Sequence, residues 1–187
     1  MLKKMRGFTL IELLIVVAII GILAALLIPN ALEAIQKAKQ KSAMKEIMVM
    51  ATACTDYMTD HGDFTNLQHD GALAVGDNFM LALSSFYIKI IPVNDPWNLP
   101  YNAYCGEAAV ESVVTDGDAD AIGEDDFVLE SYGRNKIAGP MSVGDWLSAT
   151  PDNTRYNVSA MVDFNNDLVN WNGSWICGPS TSLVAGS

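Results

Sequence analysis

The chain has 187 residues, half of them hydrophobic, and a formal net charge of −11. That length carries one ordinary globular domain with an appended segment, and nothing in the composition suggests two cores. Seven of the eleven basic residues (Lys3, Lys4, Arg6, Lys37, Lys39, Lys41, Lys45) fall in the first 45 positions, so everything after Lys45 is strongly acidic. Such a domain is repelled by nucleic-acid phosphates, which need a basic surface, and attracts cations instead. No nucleic-acid partner is expected; a divalent metal is the better one.

The first element begins almost at once. From residue 8 to residue 28 only Thr9 and Glu12 interrupt an apolar run. About 21 residues at about 1.5 Å each make roughly 30 Å of helix, the thickness of a bilayer's hydrocarbon core. Lys3, Lys4 and Arg6 precede it and the next basic residue is Lys37, so the N-terminus is expected in the cytoplasm and the acidic body across the membrane. A discarded signal peptide fits less well, because the apolar run exceeds the usual 7–15 residues or so and continues into an amphipathic segment. Glu12 is the anomaly. A carboxylate at the centre of a membrane helix costs on the order of 2.5–3.5 kcal/mol, which a plain anchor does not explain.

GFTLIELLIVVAIIGILAALLIPN, residues 7–30, resembles the N-terminus of type IV pilins and of type II secretion pseudopilins. The resemblance implies that a prepilin peptidase cuts a basic leader, residues 1–7, between Gly7 and Phe8, and that the new N-terminus is N-methylated. Loss of the leader removes three positive charges and takes −11 to −14. Cleavage exposes an α-amino group on Phe8, mostly cationic near neutrality with a reference pKa of about 7.7–8.0. A buried carboxylate needs such a partner. The resemblance assigns Glu12 to the Phe8 amine of a neighbouring subunit, although Glu12 can also reach its own. Gly21 and Pro29 weaken the helix between them, since glycine lowers propensity and proline leaves the carbonyl of Ala25 unbonded. That stretch is expected to be compliant, or else a kink at the membrane exit.

Residues 31–60 lack Gly and Pro and favour helix. Ile47, Met50, Ala51, Cys54, Tyr57 and Met58 recur at steps of three and four, one apolar face to lie against a globular domain. Residues 8–28 thus form the transmembrane and filament-core helix, 29–61 its amphipathic continuation, and 62–187 the globular domain. The helix is expected to end near His61, with Gly62 taking a positive φ; YMTDHGDF resembles the family's helix exit. His61 and His69 lie near Asp63 and Asp70, but no nucleophile stands in a recognisable setting, so no enzyme is expected.

After a loop to about Ala74, FYIKIIP, YNAYC, ESVVT, DFVLESYG and RYNVSAMVDF read as short strands. Alternation in DFVLESYG sets Phe127, Leu129 and Ser131 against Val128, Glu130 and Tyr132, a sheet with one covered face that packs on the helix stripe. The expected fold is α+β: a long N-terminal α-helix packed on a small antiparallel β-sheet, pilin-like. In DPWNLPY, Pro96 and Pro100 fix φ and Trp97 is a large anchor. YIKIIPVNDPWNLPYNAY, DFVLESYGRN and NNDLVNWN resemble segments of major pseudopilins of type II secretion.

The three cysteines are too few for a disulfide scaffold and match no CxxC metal spacing. One bridge with one thiol left over is possible on this count. If the domain lies outside the cytoplasm, Cys105–Cys177 is the preferred pair, tying the tail to the body, and it resembles the stapled C-terminal region of adhesive pilins. Cys54, on the helix stripe, reads as a small core hydrophobe.

Two cation sites are candidates. The pseudopilin resemblance implies calcium before the final tryptophan, carried over to Asn166 and Asp167 with Asn135 in the turn; two of these three lack the family's charge, and Asp163 and Asn165 offer compensating oxygens. The second is the acidic loop TDGDADAIGEDD, where Asp116, Asp118 and Asp120 match the first ligands of a calcium loop but Ala121 replaces its glycine and Phe127 its bidentate glutamate. A solvated acidic loop is the plainer reading of the latter.

The expected function is a prepilin, held in the bacterial inner membrane, polymerising through Glu12 into a helical homopolymer. The expected filament is a pseudopilus that drives protein secretion; the alternative is a surface type IV pilus for adhesion, motility or DNA uptake. A third reading is a membrane-anchored calcium-binding domain that never polymerises. The resemblance implies as partners the peptidase, an inner-membrane assembly platform, an assembly ATPase and minor pilins or pseudopilins, besides membrane lipid.

Overall fold

A computed structural model describes residues 8–84, 86–113, 122–138 and 155–179. The chain divides into two compact units, one up to Gln36 and one from Lys37 onward. Helix α1 runs Leu10–His61, with Pro29 inside it. In the first unit its apolar side chains, from Leu10 to Ile35, stand exposed.

In the second unit the stripe read from the sequence is the helix's buried face: Ala43, Ile47, Met50, Ala51, Cys54 and Tyr57 pack in one core with Ala103, Cys105, Phe127, Leu129 and Leu168 of the sheet. The helix stops at His61, where Gly62 at φ +88° donates its N–H to the carbonyl of Met58 (2.8 Å). Glycine takes this left-handed conformation without a Cβ clash, so the helix ends there. His61 stacks on Tyr57 (4.1 Å between ring centroids), while His69 lies on the first strand, 3.9 Å from Asp77.

The sheet is built from β1 (His69–Ala72), β2 (Asn102–Cys105), β3 (Phe127–Ser131), β4 (Arg155–Tyr156), β5 (Leu168–Trp171) and β6 (Ser174–Pro179). Its order is β1-β2-β3-β5-β6-β4, antiparallel throughout except for the parallel β4–β6 pair at the edge. Two short helices, α2 (Asn78–Leu83) and α3 (Glu107–Val113), and a 3₁₀ turn at Met161–Asn165 complete the described elements. The α+β fold read from the sequence is the fold of the protein.

Several expected strands differ. FYIKIIP forms no strand: Phe86 and Ile90 are exposed, and the run pairs only through an isolated bridge between Ser84 and Ile88. ESVVT lies largely in α3, because Gly106 at φ +87° ends β2 and the helix formers Glu107, Ala108 and Ala109 open a new turn, with Val110 N–H donating to the Gly106 carbonyl (3.0 Å). RYNVSAMVDF is strand only at Arg155–Tyr156 before the 3₁₀ turn. The expected loop before Ala74 contains β1.

The sheet is also covered on both sides rather than one. Phe127 and Leu129 face α1, while Val128 joins Tyr104, Val110, Val169, Trp171 and Ile176 in a second core on the opposite face. All five residues of β3 are buried, Glu130 among them.

In the DPWNLPY turn Trp97 is buried as expected, but the organising residue is Asp95. Its Oδ1 accepts the N–H groups of Trp97 and Leu99 (2.9 Å each) and its Oδ2 accepts the Ser131 hydroxyl (2.8 Å), which locks the turn to the end of β3. Asn98 tolerates φ +65°, as short polar side chains do. From the same turn the Tyr101 hydroxyl reaches α1, donating to Glu46 Oε2 (2.8 Å).

Hydrogen bonds to a charged acceptor contribute roughly 1.5–3 kcal/mol each, and three buried donors lose theirs if Asp95 is truncated. Asp95→Ala is therefore expected to destabilise the domain by more than about 3 kcal/mol, read as a lowered urea midpoint, with Asp95→Asn intermediate. Equal midpoints for all three proteins would contradict this role.

Candidate functional site: the charged end of an apolar helix

The N-terminus of α1 holds the residues singled out for assembly. Thr9 precedes the helix, and Glu12 stands in its first turn. Glu12 Oε2 accepts the Thr9 backbone N–H (2.9 Å) and the Thr9 hydroxyl (2.7 Å), while Thr9 Oγ1 accepts the Glu12 N–H (3.3 Å). This is a reciprocal capping box, which satisfies amide groups that a helix start leaves without partners. The sequence carries its signature, Thr-x-x-Glu, at residues 9–12. Glu12 is thus held at home by its own chain. Phe8 and Leu10 beside it are exposed. Around Gly21 an added Cβ would meet nothing within 4 Å, so the glycine is not required by packing in this unit. Gly7 lies outside the described residues.

The loops expected to hold calcium do meet. Arg134 donates its N–H to the Phe164 carbonyl and its Nη1 to the Met161 carbonyl (2.8 Å each). Gly133, at φ +63°, sits so close that a Cβ would come within 2.6 Å of the Asn166 carbonyl oxygen. Two of their side-chain oxygens accept from protein donors. Asp163 Oδ2 accepts the N–H groups of Ser159 and Ala160 (2.7 Å each), bonds that hold its carboxyl below the usual range. Asn135 Oδ1 accepts the Ile137 N–H (3.1 Å). Asn165 is half-buried and Asn166 exposed, while Asp167 is buried and its charge acts on Glu130. Among the described residues no three His, Cys, Asp or Glu side chains converge as metal ligands. Asp116, Asp118 and Asp120 lie outside the described residues.

A buried carboxylate stands out that the sequence reading placed only as an alternating strand residue. Glu130 is 2 % exposed on the sheet face away from α1, where its Oε2 accepts from Asn102 Nδ2 (3.3 Å). Burial and the neighbouring Asp167 charge push its pKa up to about 8. Tyr156 on β4 accepts a hydrogen bond from Gln40 of α1 (3.0 Å).

The Cys105–Cys177 pairing is not formed. Cys105 points from β2 into the core shared with α1, whereas Cys177 on β6, opposite Val169, packs on the other face and donates to the Asp167 carbonyl (3.2 Å). Three strand spacings of about 4.8 Å separate β2 from β6, beyond the roughly 7 Å of Cα separation that a disulfide spans. Cys54 is fully buried in the core, as read from its stripe.

Among the described residues one apolar helix, its first turn capped by Thr9 and Glu12, continues into an α+β domain, the architecture of a pilin-like filament subunit. Comparison with known proteins agrees. Residues 2–28 match the prokaryotic N-terminal methylation motif. The type II secretion system core protein G of Aeromonas hydrophila is 33% identical over 135 residues, covering 67% of this chain and 92% of that protein. Core protein G of Vibrio cholerae is 30% identical over 153 residues (78% and 96%), and the type IV wide pilus major component PilA4 of Thermus thermophilus is 30% identical over 164 residues (86% and 93%). No solved structure gives a significant match. The chain belongs to the type IV pilin and type II secretion pseudopilin family, as a structural subunit of a filament.

Because the folded pKa of Glu130 lies above the ordinary carboxylate value, the folded state holds a proton that the unfolded chain releases. Stability from this group is full below about pH 4.5 and falls as pH rises through about 8. Glu130→Gln is expected to flatten that decline, so that the variant exceeds the parent in melting temperature at pH 9 but not at pH 5. Parallel pH profiles would contradict the assignment.

Proposed function

We propose that the chain is made as a prepilin, cut between Gly7 and Phe8, N-methylated at Phe8, and assembled by pairing Glu12 with the Phe8 amine of a neighbouring subunit. One observation supports this most: Glu12, the one charged group between Phe8 and Ile28 of an exposed apolar run, lies within the segment that matches the N-terminal methylation motif. In the separate subunit Thr9 holds its carboxylate. In a filament the incoming amine replaces that weaker, neutral donor set with a charge-assisted one and sets the axial register between subunits. The basic leader keeps the N-terminus cytoplasmic and the acidic domain on the far side of the inner membrane. A prepilin peptidase, an assembly platform and a cytoplasmic ATPase are the partners such a subunit needs.

Among filaments, we favour a pseudopilus that drives protein secretion, because the relatives named core protein G match over both the helix and the domain. The second reading, a surface pilus, draws on the Thermus pilus component, which spans more of this chain. Deleting the chain separates them: lost release of secreted proteins supports the pseudopilus, and lost surface fibres with intact secretion supports the pilus.

Glu12→Val is expected to insert in the membrane and be processed, yet to yield at least tenfold fewer filaments, since even one lost charge-assisted contact of about 1.5–3 kcal/mol has that effect. Subunits from purified filaments are expected to have an intact mass beginning at N-methylated Phe8. A mass that includes Met1 would overturn processing, and normal filaments from Glu12→Val would overturn the pairing.

A further inference from the structure

Cys54 and Cys105 lie on different elements, α1 and β2, yet share one core, and neither is exposed to any measurable degree. Both are free thiols in the structure, and they lie close enough there for the Cys54 thiol to act on that of Cys105. Cys54 projects from the same stripe as Met50, Ala51 and Tyr57, one turn from either neighbour. Cys105 is the last residue of β2, paired with His69 and Phe127, immediately before the Gly106 turn. Cys177 is removed from both, on the opposite face of the sheet.

We propose that Cys54 and Cys105 form a disulfide that staples the helix to the sheet. A bridge here closes a loop that contains β1, α2 and the Asp95 turn, so it constrains a large part of the unfolded chain. The chemistry is thiol–disulfide exchange. The two thiols give up two protons and two electrons, one S–S bond forms, and an oxidant disulfide, a small molecule or a protein of the extracytoplasmic space, is reduced to two thiols. Burial raises the Cys105 thiol well above its usual pKa, so little thiolate exists in the closed domain. Exchange therefore belongs to folding, before the core shuts. In the cell this rests on the proposed placement of the domain across the membrane, since the cytoplasm keeps thiols reduced.

The test refolds the full-length detergent-solubilised protein from denaturant with oxidised and reduced glutathione, then alkylates, digests and weighs the peptides. The expected product is a Cys54–Cys105 linked peptide, lighter by two hydrogen masses, with Cys177 alkylated. Alkylation of both Cys54 and Cys105, or a link from either to Cys177, overturns the proposal. The oxidised protein is expected to melt on the order of 10 °C above the reduced one. That gap should vanish in Cys54→Ala and in Cys105→Ala and persist in Cys177→Ala; a parent protein whose melting ignores reductant also overturns it. Trapping thiols directly in cells separates the two readings. A pair that bridges on refolding but is reduced in cells contradicts the placement of the domain and supports the pair.

Discussion

The structure depends on one constraint: an apolar run, residues 8–28, that carries a single carboxylate must give that carboxylate a partner. In the subunit the partner is Thr9, through a capping box that also completes the helix start. A cap of this kind contributes on the order of 1 kcal/mol, enough to fix the carboxylate and too little to hold it against a cationic competitor in a low-dielectric surrounding. Charge and capping therefore meet at one turn of helix, the turn at which the proposed assembly contact forms. The exposed side chains that follow, from Leu13 to Ile28, need only be apolar and continuous if lipid and neighbouring subunits are to serve equally well as their surroundings.

The second unit has the opposite task, to hold a defined surface on a helix that cannot close a core alone. It does so with a two-sided sheet. The face toward α1 is filled by Phe127, Leu129 and Leu168, and the far face by Val128, Val169 and Trp171. Polar clamps fix the loops that join them. Asp95 ties its turn to Ser131, and Asp126 accepts from the Trp171 indole (3.2 Å) and from Asn172 Nδ2, which anchors the last hairpin to the start of β3.

Features governed by local periodicity were legible in the sequence: the apolar run, the helix stripe, the exit at Gly62 and strand β3. Those set by distant partners were not. HDGA has no strand signature and becomes β1 only because β2 pairs with it along four residues. FYIKIIP has β-branched composition but finds no ladder, while ESVV reads as a strand until the preceding Gly106 and Glu-Ala-Ala start a helix. Glu130 looked like an outward residue in an alternating strand because the cover over that face comes from elsewhere in the chain. The Cys105–Cys177 pairing failed for the same reason: spacing cannot reveal that Cys105 faces the helix core with Cys54 while Cys177 lies on the opposite face of the sheet. At the N-terminal site Glu12 was evident from its charge alone, whereas Thr9 required reading Thr-x-x-Glu as a cap.

The most direct measurement of the central claim is a helical reconstruction of the filament by electron cryomicroscopy, resolved enough to place the Glu12 carboxylate. The account predicts that it has left Thr9 and lies within about 4 Å, the span of an ion pair, of the Phe8 nitrogen of a neighbouring subunit. A carboxylate still bonded to its own Thr9, with every neighbouring amine beyond that reach, would contradict it.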